Sequence, residues 1–157
     1  MFSNSPFQGD ISRWDVSKVL SMAGMFDGSL FDGDISQWDV AKVVSMRSMF
    51  RGSHFNRSID AWDVSRVLHM ESMFADSKFN RTLSSWNVSR VEYMQSMFRE
   101  SDFHGDLSKW DVSNVKDMRR MFEGSTYERD ISAWQISPEC NIQDAAPKYY
   151  GESALFL

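Results

Sequence analysis

Large apolar residues recur along this chain at a fixed interval. Tryptophan stands every 24 residues, at Trp14, Trp38, Trp62, Trp86, Trp110 and Trp134. In the units that begin at the first five tryptophans, Val, Met, Met-Phe and Phe or Tyr return at the same distances behind each tryptophan. A period between about 20 and 50 residues is typical of stacked repeat architectures, in which each unit buries its apolar side chains against its neighbours.

The spacing within one unit predicts two kinds of element. The alternation Trp38-x-Val40 predicts a short strand. The positions Val43, Met46 and Met49-Phe50 fall on one face of a short helix, and the Ser that usually stands three residues after tryptophan is a good helix N-cap. Each unit is therefore predicted to contain one short parallel strand and one short helix, which makes the fold class an α/β repeat solenoid with 24-residue turns.

The same register predicts one solenoid domain over residues 1–157. It consists of a partial first turn, five repeats and a divergent C-terminal cap: 1–13; 14–37, 38–61, 62–85, 86–109 and 110–133; and 134–157. The cap is expected to fold over the last turn with Tyr149, Tyr150, Leu155 and Phe156. The chain begins within a unit, so the N-terminal end is expected to be uncapped and able to self-associate.

The repeated motif is F-[DN]-x-x-[IL]-S-x-W-[DN]-V-S-x-V-x-x-M-x-x-M-F-x-x-S. It resembles the bacterial surface-protein repeat of the BspA-like, DUF285 type over almost the whole chain. The resemblance implies a right-handed, leucine-rich-repeat-like coil in which Ile35-x-x-Trp38-x-Val40 corresponds to the strand segment. It also implies surface display or secretion and a role in adhesion, and it brings no catalytic residues. No signal peptide is recognised in this chain.

Composition and charge narrow the classes of function. The chain is 42% hydrophobic and 25% charged, and its formal net charge is -5. Without a basic excess to neutralise phosphates, nucleic-acid binding is not expected. No apolar run approaches the ~20 residues of a membrane span, so direct membrane insertion is not expected either. Cys140 is the single cysteine, so no intrachain disulfide can form.

The residue types that carry chemistry do not align in the repeat. His54, His69 and His104 fall in three different columns of the repeat, and Cys140 lies in the divergent last unit. A metal site needs converging ligands, and a serine nucleophile needs a base beside it, but the serine column has neither a His nor a Lys column next to it. The chain is therefore predicted to be non-enzymatic, with no catalytic residues, no metal ligands and no cofactor.

Two charged columns are the candidates for binding. The predicted binding face flanks the tryptophans and consists of Arg13, Asp15, Gln37, Asp39, Asp63, Asn87, Lys109 and Asp111. A basic column follows it, namely Lys18, Lys42, Arg66 and Arg90. Three interpretations stay open: acidic and basic columns that relieve each other's repulsion, a ligand groove along the strand side, and calcium on the acidic column.

These observations favour a binding or display module. Its expected ligand is a protein or a glycan of unknown identity, contacted through the residues that vary from turn to turn. The alternative is an architectural spacer or self-assembling solenoid with no specific small ligand.

Overall fold

The computed structural model describes residues 1–147. Within these residues the backbone forms no α-helix and no extended strand. The regular elements are β-turns and single-residue parallel bridges between successive units, which pair Ser21 with Ser45, Ser45 with His69, His69 with Tyr93, Tyr93 with Asp117, and Asp117 with Asn141. No helix among the described residues is long and apolar enough to cross a membrane.

The prediction of an α/β repeat solenoid is therefore wrong. The segment expected to be helical sends alternate backbone N–H groups to the next unit instead of to its own preceding turn. Met46 N donates to the carbonyl of His69 at 2.9 Å, and Phe50 N donates to that of Met73 at 3.0 Å. An α-helix would use these N–H groups for bonds to residues four positions earlier.

Consecutive β-turns take the place of the helix. Met49 N donates to Met46 O at 3.1 Å, and Ser53 N donates to Phe50 O at 3.1 Å. The third residue of each turn is left-handed, with φ 53° at Ser48 and 59° at Gly52. A positive φ at this position is the mark of a type II turn, and it interrupts a right-handed helix every fourth residue.

The segment expected to be a strand is also built of turns. Trp38 N donates to Ile35 O at 3.1 Å, and Val43 N donates to Val40 O at 2.9 Å. The correspondence with the leucine-rich-repeat strand segment therefore fails, since Trp38 and Val40 lie at the end of one turn and the start of the next. Parallel pairing occurs later in the unit, at Ser45, inside the segment predicted to be helical.

The interior consists of the columns that the repeat pattern predicts. Phe26, Phe50 and Phe74 stack on one another with ring centroids 5.7–5.8 Å apart. From Trp38 onward, each indole is only 4–5% exposed, and its N–H donates to a carbonyl of the preceding unit, as Trp38 Nε1 does to Ile11 O at 3.0 Å. The aromatic columns and these indole hydrogen bonds hold neighbouring units together.

The serine column consists of the serines fifteen residues after each of the first five tryptophans, and it is buried. Its hydroxyls form hydrogen bonds with backbone groups of their own turn. Ser29 Oγ accepts the backbone N–H of Phe31 at 3.1 Å, and Ser77 Oγ donates to Phe74 O at 2.8 Å. These hydroxyls satisfy backbone groups where the chain leaves the Met-Phe turns, which is the usual role of a short hydroxyl side chain in a turn.

The two ends differ. Residues 134–147 continue the stack, because Met118 N donates to Asn141 O at 2.9 Å and Arg120 N donates to Gln143 O at 2.9 Å. Tyr149, Tyr150, Leu155 and Phe156, which were expected to cover the last turn, lie outside the described residues. At the other end Trp14 is 43% exposed, although Phe2 stacks on Phe26 with centroids 5.7 Å apart.

Candidate binding surface

The eight residues of the predicted binding face lie on the turns that flank each tryptophan, not on a strand. They are all exposed: Arg13, Asp15, Gln37, Asp39, Asp63, Asn87, Lys109 and Asp111. The structure thus places them at the surface, and their role in ligand binding stays a prediction.

Aspartate side chains of this face accept hydrogen bonds from residues of their own turns. Asp15 Oδ1 accepts the backbone N–H of Ser17 at 3.0 Å and the Ser17 hydroxyl at 2.6 Å. Asp111 accepts the same two groups from Ser113, at 3.1 and 2.6 Å. These hydrogen bonds hold the pKa of both carboxyl groups below the usual range. Calcium on this column would have to compete with the hydrogen bonds, so the acidic column is better explained as turn chemistry.

The basic column occupies the third position of the turns that follow each tryptophan. Its four members are all exposed: Lys18, Lys42, Arg66 and Arg90. Because no helix begins here, these cations do not lie at a helix N-terminus, where the helix dipole would disfavour them. Hydrogen bonds from Ser65 are the main reason that the pKa of Asp63 is lowered, and the charge of Arg66 acts in the same direction. Attraction between the acidic and the basic column therefore contributes to the lowered pKa of Asp63, but less than the hydrogen bonds from Ser65 do.

The residues of the parallel bridges form a further surface column, which we call the bridge column. Its side chains differ from unit to unit: Ser21, Ser45, His69, Tyr93, Asp117 and Asn141. The rings of His69 and Tyr93 stack with centroids 5.2 Å apart, and His69 Nδ1 lies 3.3 Å from Glu71 Oε1. In the next unit Asp117 accepts Arg119 Nε at 3.0 Å and Nη2 at 2.7 Å. One uniform backbone therefore presents an aromatic pair beside an ion pair.

Two buried oxygens beside the bridge column lack partners. Glu71 Oε2 and Gln95 Oε1 have no hydrogen-bond donor among the described residues. Gln95 also borders a depression of about 280 Å³ whose wall includes Arg119 and Gln143. A buried acceptor without a donor costs about 1–3 kcal/mol. A ligand or an ordered water that donates to these oxygens would therefore stabilise this face.

Sequence reasoning missed a fourth surface column, at the residues just after each buried Phe. Asn56 N bonds to Asp32 Oδ1 at 2.8 Å, Asn80 N to Asn56 Oδ1 at 3.0 Å, and His104 N to Asn80 Oδ1 at 3.0 Å. Each side chain thus supports the backbone of the next unit. The signal in the sequence was the recurrence of Asp or Asn at one offset, since these are the residues whose short side chains bond nearby backbone.

The position that follows this fourth column in the chain carries arginine in three units. Arg57 Nε donates to Asp32 O at 3.0 Å, and Arg81 Nε donates to Asn56 O at 2.8 Å. Arg129 Nε donates to His104 O in the same way. The repeated contact fixes each guanidinium against the preceding unit.

Comparison with known proteins decides the family. A family model described as "Mycoplasma protein of unknown function, DUF285" matches residues 1–78 and 52–148. The chain belongs to the DUF285 family. This confirms the resemblance seen in the repeat motif. No significant match was found among curated proteins or among solved structures. The DUF285 description assigns no activity, so the function has to be argued from the residues.

In this DUF285 chain the groups that could bind metals or act as nucleophiles lie apart. Among residues 1–147, no three His, Cys, Asp or Glu side chains converge on one point. Cys140 is buried, and burial raises the pKa of its thiol to about 11, so the reactive thiolate is scarce at neutral pH. The buried Ser77 and Ser101 hydroxyls donate to carbonyls of their own turns.

Proposed function

We propose that this DUF285 chain is a non-enzymatic binding or display module that recognises a protein or glycan ligand through its variable surface columns. The observation that carries the proposal is the contrast between interior and surface. Successive units keep the same buried Trp, Val, Met and Phe, while the bridge column changes from serine to histidine, tyrosine, aspartate and asparagine on an unchanged backbone.

The bridge column is the best candidate for the contact surface. Its middle units combine the stacked His69–Tyr93 pair with the buried, unpartnered oxygens of Glu71 and Gln95. Flat aromatic area together with unsatisfied acceptors suits a ligand that brings hydrogen-bond donors, such as sugar hydroxyls or peptide amides. The fold gains nothing from leaving these acceptors without donors, which favours a role in recognition.

Arrays of glycans and of surface proteins test the proposal directly. The variant His69→Ser/Tyr93→Ser places in two units the residue that Ser21 and Ser45 already carry in the same column, so it should fold normally. We expect it to lose at least tenfold in affinity for the protein or uncharged glycan that the wild-type chain binds, with an unchanged circular dichroism spectrum. The control Asp76→Gly copies Gly52 at an exposed position outside the predicted binding columns and should bind like the wild type. A wild-type chain that binds neither array would contradict the proposal.

A second candidate function is an architectural unit that self-associates through its N-terminal end. The observation in its favour is Trp14, which is 43% exposed while the later tryptophans are 4–5% exposed. Analytical ultracentrifugation should then show oligomers that grow with concentration and that Trp14→Arg abolishes, whereas Ala61→Arg has no effect. A strict monomer at high concentration would exclude this function.

A further inference from the structure

Two neighbouring units reverse the charge of one stretch of the repeat. In three of the six units the two positions that follow the fourth surface column carry Gly-Asp, namely Gly9-Asp10, Gly33-Asp34 and Gly105-Asp106. Residues 57 and 58 are instead Arg-Ser, and residues 81 and 82 are Arg-Thr. A carboxylate is thus replaced by a hydroxyl, and a glycine by a guanidinium, in two units that stack directly on each other.

The flanking positions strengthen this reversal. The two five-residue windows are His-Phe-Asn-Arg-Ser at 54–58 and Lys-Phe-Asn-Arg-Thr at 78–82. With histidine neutral, their formal charges are +1 and +2, whereas the equivalent windows 30–34 and 102–106 are each −2. We call residues 54–58 and 78–82 the central basic ledge. Apart from the buried Phe55 and Phe79 and the half-buried Asn56, its residues are exposed.

Both guanidinium groups of the ledge are held in place. Each uses Nε for the backbone carbonyl of the preceding unit, at 3.0 Å for Arg57 and 2.8 Å for Arg81. Arg57 also contacts Asp32 Oδ2 at 3.1 Å, but under Arg81 the neutral Asn56 takes the place of that aspartate. No carboxylate of residues 1–147 forms an ion pair with Arg81. A fixed guanidinium with free Nη groups pays less entropy on binding an oxyanion.

The positive charge of the ledge is only partly compensated: Asp32 forms an ion pair with Arg57, and Asp34 interacts with the same guanidinium. Asp60 is the nearest acidic residue along the chain within these two units, and its carboxylate accepts the Ser85 backbone N–H at 3.0 Å and the Ser85 hydroxyl at 2.8 Å. Ser58 and Thr82 follow the two arginines in the chain, and the Thr82 hydroxyl donates to Ser84 Oγ at 3.0 Å. The ledge therefore offers guanidinium donors from two stacked levels, with the Ser58 hydroxyl next in the chain.

We propose that the central basic ledge binds a sulfate or phosphate ester of an anionic glycan. The two levels of the ledge stack with the ring centroids of Phe55 and Phe79 6.3 Å apart, so both can reach one tetrahedral oxyanion. The free oxygens of such a group point in three dimensions, whereas those of a carboxylate lie in one plane. The ledge is only two units long and lies between windows of charge −2. A nucleic acid would bring its next phosphates against those acidic windows, whereas a sparsely substituted glycan would not.

The proposal rests on the proposed binding function and adds an anionic ligand on a surface other than the bridge column. Low-substitution dextran sulfate and unsubstituted dextran serve as probes, with inorganic sulfate and phosphate as competitors, in isothermal titration calorimetry at constant ionic strength. We expect the sulfated polymer to bind at least tenfold more tightly than dextran. Competition by either free ion at millimolar concentration would identify the oxyanion as the recognised group, and phosphate competing better than sulfate would favour a phosphate ester.

Variants that copy other units keep the fold. Arg57→Gly/Arg81→Gly installs the glycine found in three units, and Thr82→Asp installs the aspartate of the equivalent position. The turn should survive Thr82→Asp, because Ser84 N bonds to Thr82 Oγ1 as Ser12 N bonds to Asp10 Oδ1. Each variant should weaken binding of dextran sulfate at least tenfold without changing the unfolding temperature.

Arg129→Gly is the matched control. Arg129 makes the same Nε contact but stands next to Asp130, and its removal should change affinity less than twofold. Equal losses in all three variants would reveal unspecific charge attraction and overturn the proposal, as would stronger binding of a phosphorylated peptide than of dextran sulfate. If dextran sulfate does not bind but the arrays reveal another ligand, the ledge proposal fails and the binding function stands. If no ligand of any class binds, both fail.

Discussion

Ala41 lacks a hydrogen bond that its counterparts in other units make. Ser17 and Ser113 each donate a hydroxyl to the aspartate two residues earlier at 2.6 Å, whereas at Ala41 the backbone N–H alone reaches Asp39 Oδ1, at 3.1 Å. We expect Ala41→Ser to stabilise the fold by about 0.5 kcal/mol, the low end for a hydrogen bond because the site is exposed. Urea unfolding followed by fluorescence measures this change, and a destabilised variant would show that the added hydroxyl bonds elsewhere.

The lowered pKa of Asp63 makes the stability of the fold depend on pH. Hydrogen bonds from Ser65 lower this pKa in the folded chain below its ordinary value of 3.8. A carboxyl group of this kind stabilises the fold above its ordinary pKa, and the contribution is lost as the pH falls through the folded-state value. The unfolding temperature should therefore drop from about pH 5 downwards.

Asp63→Asn should weaken this acid dependence without disturbing the turn, because Asn87 already accepts the backbone N–H of Ser89 at 3.1 Å in the next unit. Thermal unfolding at a series of pH values tests the change. The reverse substitution, Asn87→Asp, is the matched control and should steepen the acid dependence. Identical pH profiles for all three chains would rule out a contribution from these carboxyl groups.

At the scale of the turns, the left-handed position is under strain in most units. Gly24 occupies it with φ 62°, but Ser72 and Ser96 occupy it with φ 52° and 57°. A left-handed residue other than glycine costs about 1–2 kcal/mol, partly offset by the entropy that glycine loses. Ser72→Gly should therefore stabilise the fold by about 0.5 kcal/mol, and Ser72→Val should destabilise it by about 1 kcal/mol or more. Paired thermal unfolding curves of the two variants check the opposite signs.

The same turns show why the elements could not be predicted from apolar spacing. Val43, Met46, Met49 and Phe50 have the spacing of one helix face, but a stack of turns that points every third or fourth side chain inward produces the same pattern. The distinguishing signal was weak. Glycine recurs at one left-handed position, just after the supposed helix, at Gly28, Gly52 and Gly124, but the other left-handed position, inside it, carries serine in three units.

At the scale of the whole molecule, the sequence predicted which residues are inside more reliably than what the surface does. The columns of Trp, Val, Met, Phe and Ser are buried as the period requires, since every unit presents the same shape to its neighbours. The residues of the two charged columns are exposed, but the hydrogen bonds of Asp15 and the backbone contact of Arg81 depend on turn geometry. Apolar periodicity carries no information about such local polar contacts.

The indole column tests how strongly neighbouring units depend on each other. Trp86 is 4% exposed, and its Nε1 donates to Ile59 O at 3.0 Å, whereas Trp14 is 43% exposed and has no preceding unit of this kind to accept its N–H among the described residues. Trp86→Phe removes a hydrogen bond between units and leaves a partly filled site, so we expect it to cost about 2 kcal/mol. Trp14→Phe removes neither and should cost well under about 1 kcal/mol. Urea denaturation of the two variants measures the difference, and equal costs would mean that the indole hydrogen bonds do not couple the units.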